Sequence, residues 1–169
     1  MEHLKIALLF LAIISAPVSA EKYLYVSGVI GDKEFYQMDS EAQTINFGGD
    51  SKSAADFCDG KEFHCFISLR LSFSVPTSSI PRKWSYRGIH FSSSECNEVL
   101  VALGRKYSDI CVIEGPMGSR ETNKKMLWYY SIKDGLIAFR AVNQTELRSV
   151  WDMHFLAGTS GFGASKKDL

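Results

Sequence analysis

The stretch 128–141, WYYSIKDGLIAFRA, decides the fold class. Two apolar arms flank Asp134-Gly135, a dipeptide that favours a hairpin turn because glycine accepts positive φ without a steric penalty. A type I′ turn there pairs Ile132 with Ile137, Tyr130 with Phe139 and Trp128 with Ala141. All six then share one face as an apolar cross-strand ladder. On the other face Tyr129 meets Arg140, a cation over a ring.

Outward from this hairpin the chain keeps reading as strand. Residues 23–30 alternate aromatic or aliphatic with smaller side chains, and 34–38 and 43–47 are two further short strands. In 66–75, Ile67, Leu69, Leu71, Phe73 and Val75 fall on one face, with Ser68, Arg70, Ser72 and Ser74 on the other. That pattern predicts one half-buried antiparallel strand. Residues 76–81 form a Ser/Thr/Pro loop, 84–91 the next strand, and 109–114 a strand ended by Gly115-Pro116. The last strand, 150–157, carries Trp151, Met153 and Phe155 together. Helical spacing occurs in 92–104, where Cys96, Val99, Leu100 and Leu103 recur at i, i+3, i+4 and i+7 between a Ser92/Glu95 capping box and Gly104. A strand over 99–103 is the competing reading. The expected fold is mainly β, all-β or α+β, with an antiparallel sheet, β-hairpins and at most one or two short helices.

Residues 1–20 read as a signal peptide. Lys5 precedes the apolar run 6–14, Pro17 breaks it, and Val18-Ser19-Ala20 suits cleavage after Ala20. Nine apolar residues fall short of the roughly 20 that span a bilayer, so no transmembrane segment is expected after cleavage. The expected product is exported, periplasmic or secreted: a single β-rich domain over 21–157, then a flexible tail, 158–169, rich in glycine and lysine.

The chain of 169 residues carries 19 Lys+Arg and 19 Asp+Glu. Loss of 1–20 removes Glu2 and Lys5 and leaves 18 of each. A neutral chain does not grip nucleic acid or anionic lipid through bulk charge, so no nucleic-acid partner is expected. Four cysteines, Cys58, Cys65, Cys96 and Cys111, imply two disulfides in an exported protein. Of the three pairings, the sequence-local one is favoured, Cys58 with Cys65 and Cys96 with Cys111. Loops this short contribute about 2.5–3 kcal/mol each. The spacings do not match a zinc site, and neither metal nor cofactor is expected.

Candidate chemistry is sparse. Gly49-Asp50-Ser51 follows a strand-like segment and resembles the first block of the serine hydrolases with a G-D-S signature. That resemblance implies Ser51 as nucleophile, with His154 and Asp152 as its base and orienting acid. The chain departs from the pattern in three places: Lys52 replaces a branched aliphatic residue, a G-x-N-D block is absent, and Asp152-Met153-His154 is one residue shorter than D-x-x-H. The competing reading of 48–51 is an ordinary turn. Gly158-Thr159-Ser160-Gly161-Phe162 has Phe162 where G-x-S-x-G requires glycine. Asn143-Gln144-Thr145 is a glycosylation sequon, relevant only in a eukaryotic source. Arg120 to Lys125, RETNKK, reads as a solvated polar loop, with a contact loop projecting from the β framework as the competing reading. The resulting expectation is an exported, disulfide-stabilised, non-catalytic domain that binds a protein or small-molecule ligand through loops or a sheet face. A small serine hydrolase and a structural envelope or matrix component are the alternatives.

Overall fold

A computed structural model of the chain describes residues 21–29, 31–49, 51–58, 60–119, 124–142 and 153–165. The expected signal segment, Asn143, Asp152 and residues 166–169 lie outside them. The described residues form strands and no helix: β1 (Lys22–Ser27), β2 (Phe35–Asp39), β3 (Thr44–Phe47), β4 (Ser51–Phe57), β5 (Phe63–Ser68), β6 (Ser72–Pro76), β7 (Lys83–Tyr86), β8 (Ile89–Ser93), β9 (Glu98–Ala102), β10 (Arg105–Pro116), β11 (Lys125–Ser131), β12 (Gly135–Val142) and β13 (Met153–Leu156). They build one antiparallel sheet in the order β6-β5-β4-β3-β2-β1-β13-β12-β11-β10-β8-β7, nearly closed into a barrel, with β9 attached to β10. The expected β-rich class and both sequence-local disulfides, Cys58–Cys65 and Cys96–Cys111, are present.

Pairing of β1 with β13 (Tyr25 opposite Leu156) joins the two ends of the described chain inside the sheet. The seam therefore falls mid-chain, between β6 and β7. Three hydrogen bonds bridge the region around it: Trp84 Nε1 donates to the Ser74 carbonyl (3.2 Å), Ser72 N to the Met117 carbonyl (2.9 Å) and Ser119 N to the Ser68 carbonyl (3.1 Å).

Aromatic side chains fill the interior. Tyr25, Phe66, Phe73, Trp128 and Phe139 are fully buried. The Trp128 ring lies 5.2–5.7 Å from the centroids of Phe66, Phe73 and Phe139. Such pairs add about 0.5–1.5 kcal/mol each beyond the area they bury.

Several local expectations need correction. The single strand 66–75 is instead the hairpin β5–β6, turning at Leu69-Arg70-Leu71. Ser68 Oγ accepts from the Leu71 amide at 2.9 Å and donates to the Leu71 carbonyl at 2.8 Å, so a serine placed on the wet face by alternation ties the turn from inside. Leu69, expected in the core, is exposed. The strand 84–91 is likewise a hairpin, β7–β8, with positive φ at Arg87 and Gly88. The helix expected over 92–104 is the end of β8, a connecting loop and β9. Strand spacing satisfies the same apolar residues there, with Leu100 and Ala102 turned inward and Val99 and Val101 outward.

The 128–141 hairpin forms with a different register. Trp128 pairs with Phe139, Tyr130 with Leu136 and Leu127 with Arg140, and a bulge falls between Tyr129 and Tyr130. Asp134 is not among the positive-φ residues, whereas Gly135 is, at +78°. Three residues, Ile132, Lys133 and Asp134, thus separate the strands, and Gly135, the first residue of β12, takes the left-handed conformation opposite Ser131, which shifts every pair in the ladder relative to a two-residue turn. Ile132 is left exposed.

The expected tail does not begin at 158. Residues 158–165 run back across one end of the barrel, and Phe162 is buried. Its ring meets Tyr23 (5.5 Å), Phe57 (5.7 Å), Phe66 (5.4 Å) and Phe73 (6.3 Å). Its amide donates to the Tyr25 hydroxyl (3.3 Å), which itself donates to the Leu136 carbonyl (3.0 Å), and Leu136 N donates to the Phe162 carbonyl (2.9 Å). Burial raises the Tyr25 phenol well above its ordinary value, which keeps it a neutral donor. Gly135 and Gly161 permit the crossing, because a Cβ on either would strike the other strand's backbone. Glycine content suggested mobility; here it allows two backbones to touch.

Phe162→Ala should cost about 3–5 kcal/mol of unfolding free energy, the usual penalty for emptying a buried aromatic site, measured by urea denaturation. A loss below about 1 kcal/mol would show that 158–165 does not pack on the barrel.

Stability should also fall with pH in two windows. Burial holds the half-buried His64 imidazole below its ordinary value against a weaker upward pull from Glu21. The unfolded chain then binds a proton that the folded one refuses, so this contribution is whole above about pH 6.5 and declines below it. Asp32, through the Ser27 hydroxyl first, and Asp39, through the Ala42 amide first, are held below the usual carboxylate range. Their contribution is present above about pH 4 and lost as pH falls further. The urea midpoint of His64→Gln should lose only the upper step.

Candidate functional site

The β7–β8 hairpin folds against β4, β5 and the edge of β6. At its tip Arg87 pairs with Asp56 and lies over the Tyr86 ring (5.4 Å), and Tyr86 packs on Phe63 (5.0 Å). Between this hairpin and the end of β10 runs a groove of about 780 Å³. Its apolar surface is Trp84, Phe91, Ile89 and Ile67. Trp84 opposes Phe91 across the strands, the rings stack at 5.7 Å and 15°, and the Ser74 carbonyl fixes the indole N–H. Phe91 is buried, so Trp84 presents the accessible ring.

Gly115 makes the groove possible. A Cβ at this position would lie 2.5 Å from the Phe91 ring, so only glycine lets that ring lie flat on β10. Gly115 and Pro116, which by pattern end the strand 109–114, both belong to β10. Around the apolar surface stand Lys83, Arg87, Lys125, His90 and Glu114. Lys125 is ion-paired with Glu114. Of the three cations in the lining, Arg87 is balanced by Asp56 and Lys125 by Glu114, which leaves one positive charge in excess, that of Lys83, with His90 beside it. Of the lining, Gly118 and Ser119 precede the polar loop singled out in the sequence and Lys125 is its last residue.

A second, smaller cavity of about 420 Å³ opens at the barrel mouth, where the ends of β1, β2, β11, β12 and β13 converge. His154 lines it, 7% exposed, stacked on Phe139 (5.4 Å, 11°) and edge-on to Tyr36 (4.6 Å). Asp32 and Glu34 also line it.

The sequence-derived residues are thereby dispersed. Ser51 opens β4, exposed, opposite Phe47. His154 sits on β13, and β3, β2 and β1 lie between them in the sheet. At about 4.8 Å per strand, four steps along the sheet contrast with the ~3 Å that a nucleophile and its base require. Neither cavity brings Ser51 and His154 together. Among the described residues no group of three His, Cys, Asp or Glu is placed to hold a metal ion. The groove itself escaped the sequence reading. Its one signal was Gly88 inside the apolar run 84–91, a cue for a turn in place of a continuous strand.

No family profile, curated protein or solved structure matches the chain.

A fluorophosphonate probe should leave the protein unlabelled, and Ser51→Ala should not alter that result. Labelling abolished by Ser51→Ala would establish Ser51 as an activated nucleophile.

Proposed function

We propose that this protein is an exported, non-catalytic binding domain that takes a small amphiphilic anion, an apolar body with one acidic head, in the β7–β8 groove. The observation that carries the reading is the pairing of an accessible Trp84 ring on a stacked aromatic floor with a cationic excess at the rim. Apolar surface supplies the affinity and a few placed charges orient the ligand, as in small-molecule sites generally. The volume lies within the roughly 300–1,000 Å³ usual for such sites. Lys83 and His90 are the groups to meet the acidic head, since Arg87 is held by Asp56 and Lys125 by Glu114.

Export is supported by the apolar segment 6–14 with its Val18-Ser19-Ala20 boundary and by two disulfides, which persist in oxidising compartments. A periplasmic or secreted location follows from that reading.

Calorimetric titration with dodecanoate, dodecyltrimethylammonium and dodecanol below their micelle concentrations tests it. Dodecanoate should bind at least about tenfold more tightly than the other two, equivalent to about 1.4 kcal/mol. Trp84→Ala and Lys83→Glu should each weaken it by about tenfold or more. Equal affinity for all three, no binding, or indifference to both substitutions would overturn the reading.

A further inference from the structure

Strand β9 (Glu98–Ala102) hydrogen-bonds to β10 and, among the described residues, to no other strand. Its side chains divide sharply. Leu100 and Ala102 turn toward the core, while Val99 and Val101 are 55% and 68% exposed and Leu103 beyond them 59%. Glu98 is its only charged residue, and it contains neither lysine nor proline, the residues that commonly blunt a sheet edge against further pairing. No residue of β9 lines the groove.

The hairpin geometry states which backbone groups face outward. Leu103 and Gly104 both have positive φ (47° and 76°), a two-residue turn closing on the pair Ala102 and Arg105. In such a hairpin the closing residues exchange both N–H···O bonds, and bonded and non-bonded pairs then alternate. Leu100 with Tyr107 is the next bonded pair, and Val101 with Lys106 is non-bonded. The N–H and C=O of Val99 and Val101 therefore point away from β10.

We infer that β9 is a self-association edge, pairing antiparallel with β9 of a second copy about a two-fold axis at Leu100. In this register Val99 opposes Val101 of the second copy, and the reverse, so the outward N–H and C=O groups of all four valines bond across the axis. Leu100 meets its own counterpart in the non-bonded position. The four valines, exposed in the single chain, form one continuous apolar cluster. Charge agrees with the register: Glu98 falls opposite Ala102 of the second copy, about two strand spacings from that copy's Arg105, within reach of these two long side chains across the small Ala102, twice by symmetry; in the single chain the Arg105 guanidinium donates to the Gly158 carbonyl. Both Glu98 and Arg105 are exposed in the single chain. The Cys96–Cys111 disulfide ties the base of the hairpin, so the edge is presented already ordered and little conformational entropy is lost on pairing. A five-residue edge is small beside the roughly 1,200–2,000 Å² of a stable interface, which places the dimer in the weak, concentration-dependent class.

Sedimentation equilibrium of the oxidised protein from about 5 to about 500 µM, the range in which so small an interface registers, tests the inference. The weight-average mass should climb from one protomer toward two. Val101→Lys, at an exposed position, should hold it at one with an unchanged near-ultraviolet spectrum. Glu98→Arg and Arg105→Glu should each weaken association, and the double reversal should restore it. Leu100→Cys should yield a disulfide-linked dimer, because non-bonded antiparallel partners have Cα atoms about 4.5 Å apart, within disulfide reach. A wild-type protein that stays monomeric throughout, or a dimer that survives Val101→Lys, overturns the inference. A dimer that forms without the Leu100→Cys cross-link overturns the register.

Discussion

The contacts of Phe162 are the constraint on which the barrel depends. One side chain near the chain's end touches rings from β1, β4, β5 and β6, while its backbone bonds to β12 and to the Tyr25 hydroxyl of β1. The sheet meets itself at β1 and β13, and Phe162 fills the end of the space that this closure encloses. The neighbouring Gly163 carbonyl accepts from the Tyr130 hydroxyl at 2.8 Å. Burial pushes that phenol up to about 12. The segment is thus bonded to both halves of the chain, across sequence separations above 100 residues for Tyr25.

Closure at the chain ends has a consequence elsewhere. A sheet that joins its first strand to its last leaves its seam in the middle of the sequence, at β6 and β7. Ser72 and Ser74 of β6 are fully buried there, because the β7–β8 hairpin and the segment around Met117 cover that edge. The hairpin is pinned by Trp84 at its base and by Arg87 and Tyr86 at its tip, and the groove is the space between it and β10. The interior itself is packed with rings, so the larger open space lies at the seam between this hairpin and β10, and β9, attached to β10 alone among the described strands, stands outside it.

Much of this was legible in residues alone. Class, antiparallel pairing, several strand positions and both disulfides follow from period-two alternation, glycine punctuation and cysteine spacing. Three errors share a cause. The run 66–75 alternates perfectly, yet the chain turns at Leu69-Arg70-Leu71, where the Ser68 hydroxyl bonds both backbone groups of Leu71 and β5 pairs with β6. The segment 92–104 satisfies both helical and strand spacing, and pairing of Glu98–Ala102 with the first half of β10 selects the strand. The Asp134-Gly135 turn was read one residue short, which misplaced Tyr130, Ile132 and Arg140 together. In each case the residue pattern admits two arrangements, and the backbone pairing formed with the neighbouring segment chooses between them.

The chain's own order of residues determined that it forms β structure, where most turns fall, and that cysteines close short loops, because these depend on neighbours within a few positions. Tertiary structure alone decided that Phe162 is a core residue, that Gly115 makes room for Phe91, that Ser51 and His154 stand strands apart, and that Val99 and Val101 remain outside. These are contacts between segments far apart in sequence. Burial, close approach and exposure are properties of the assembled sheet, and no local spacing encodes which strand lies beside which.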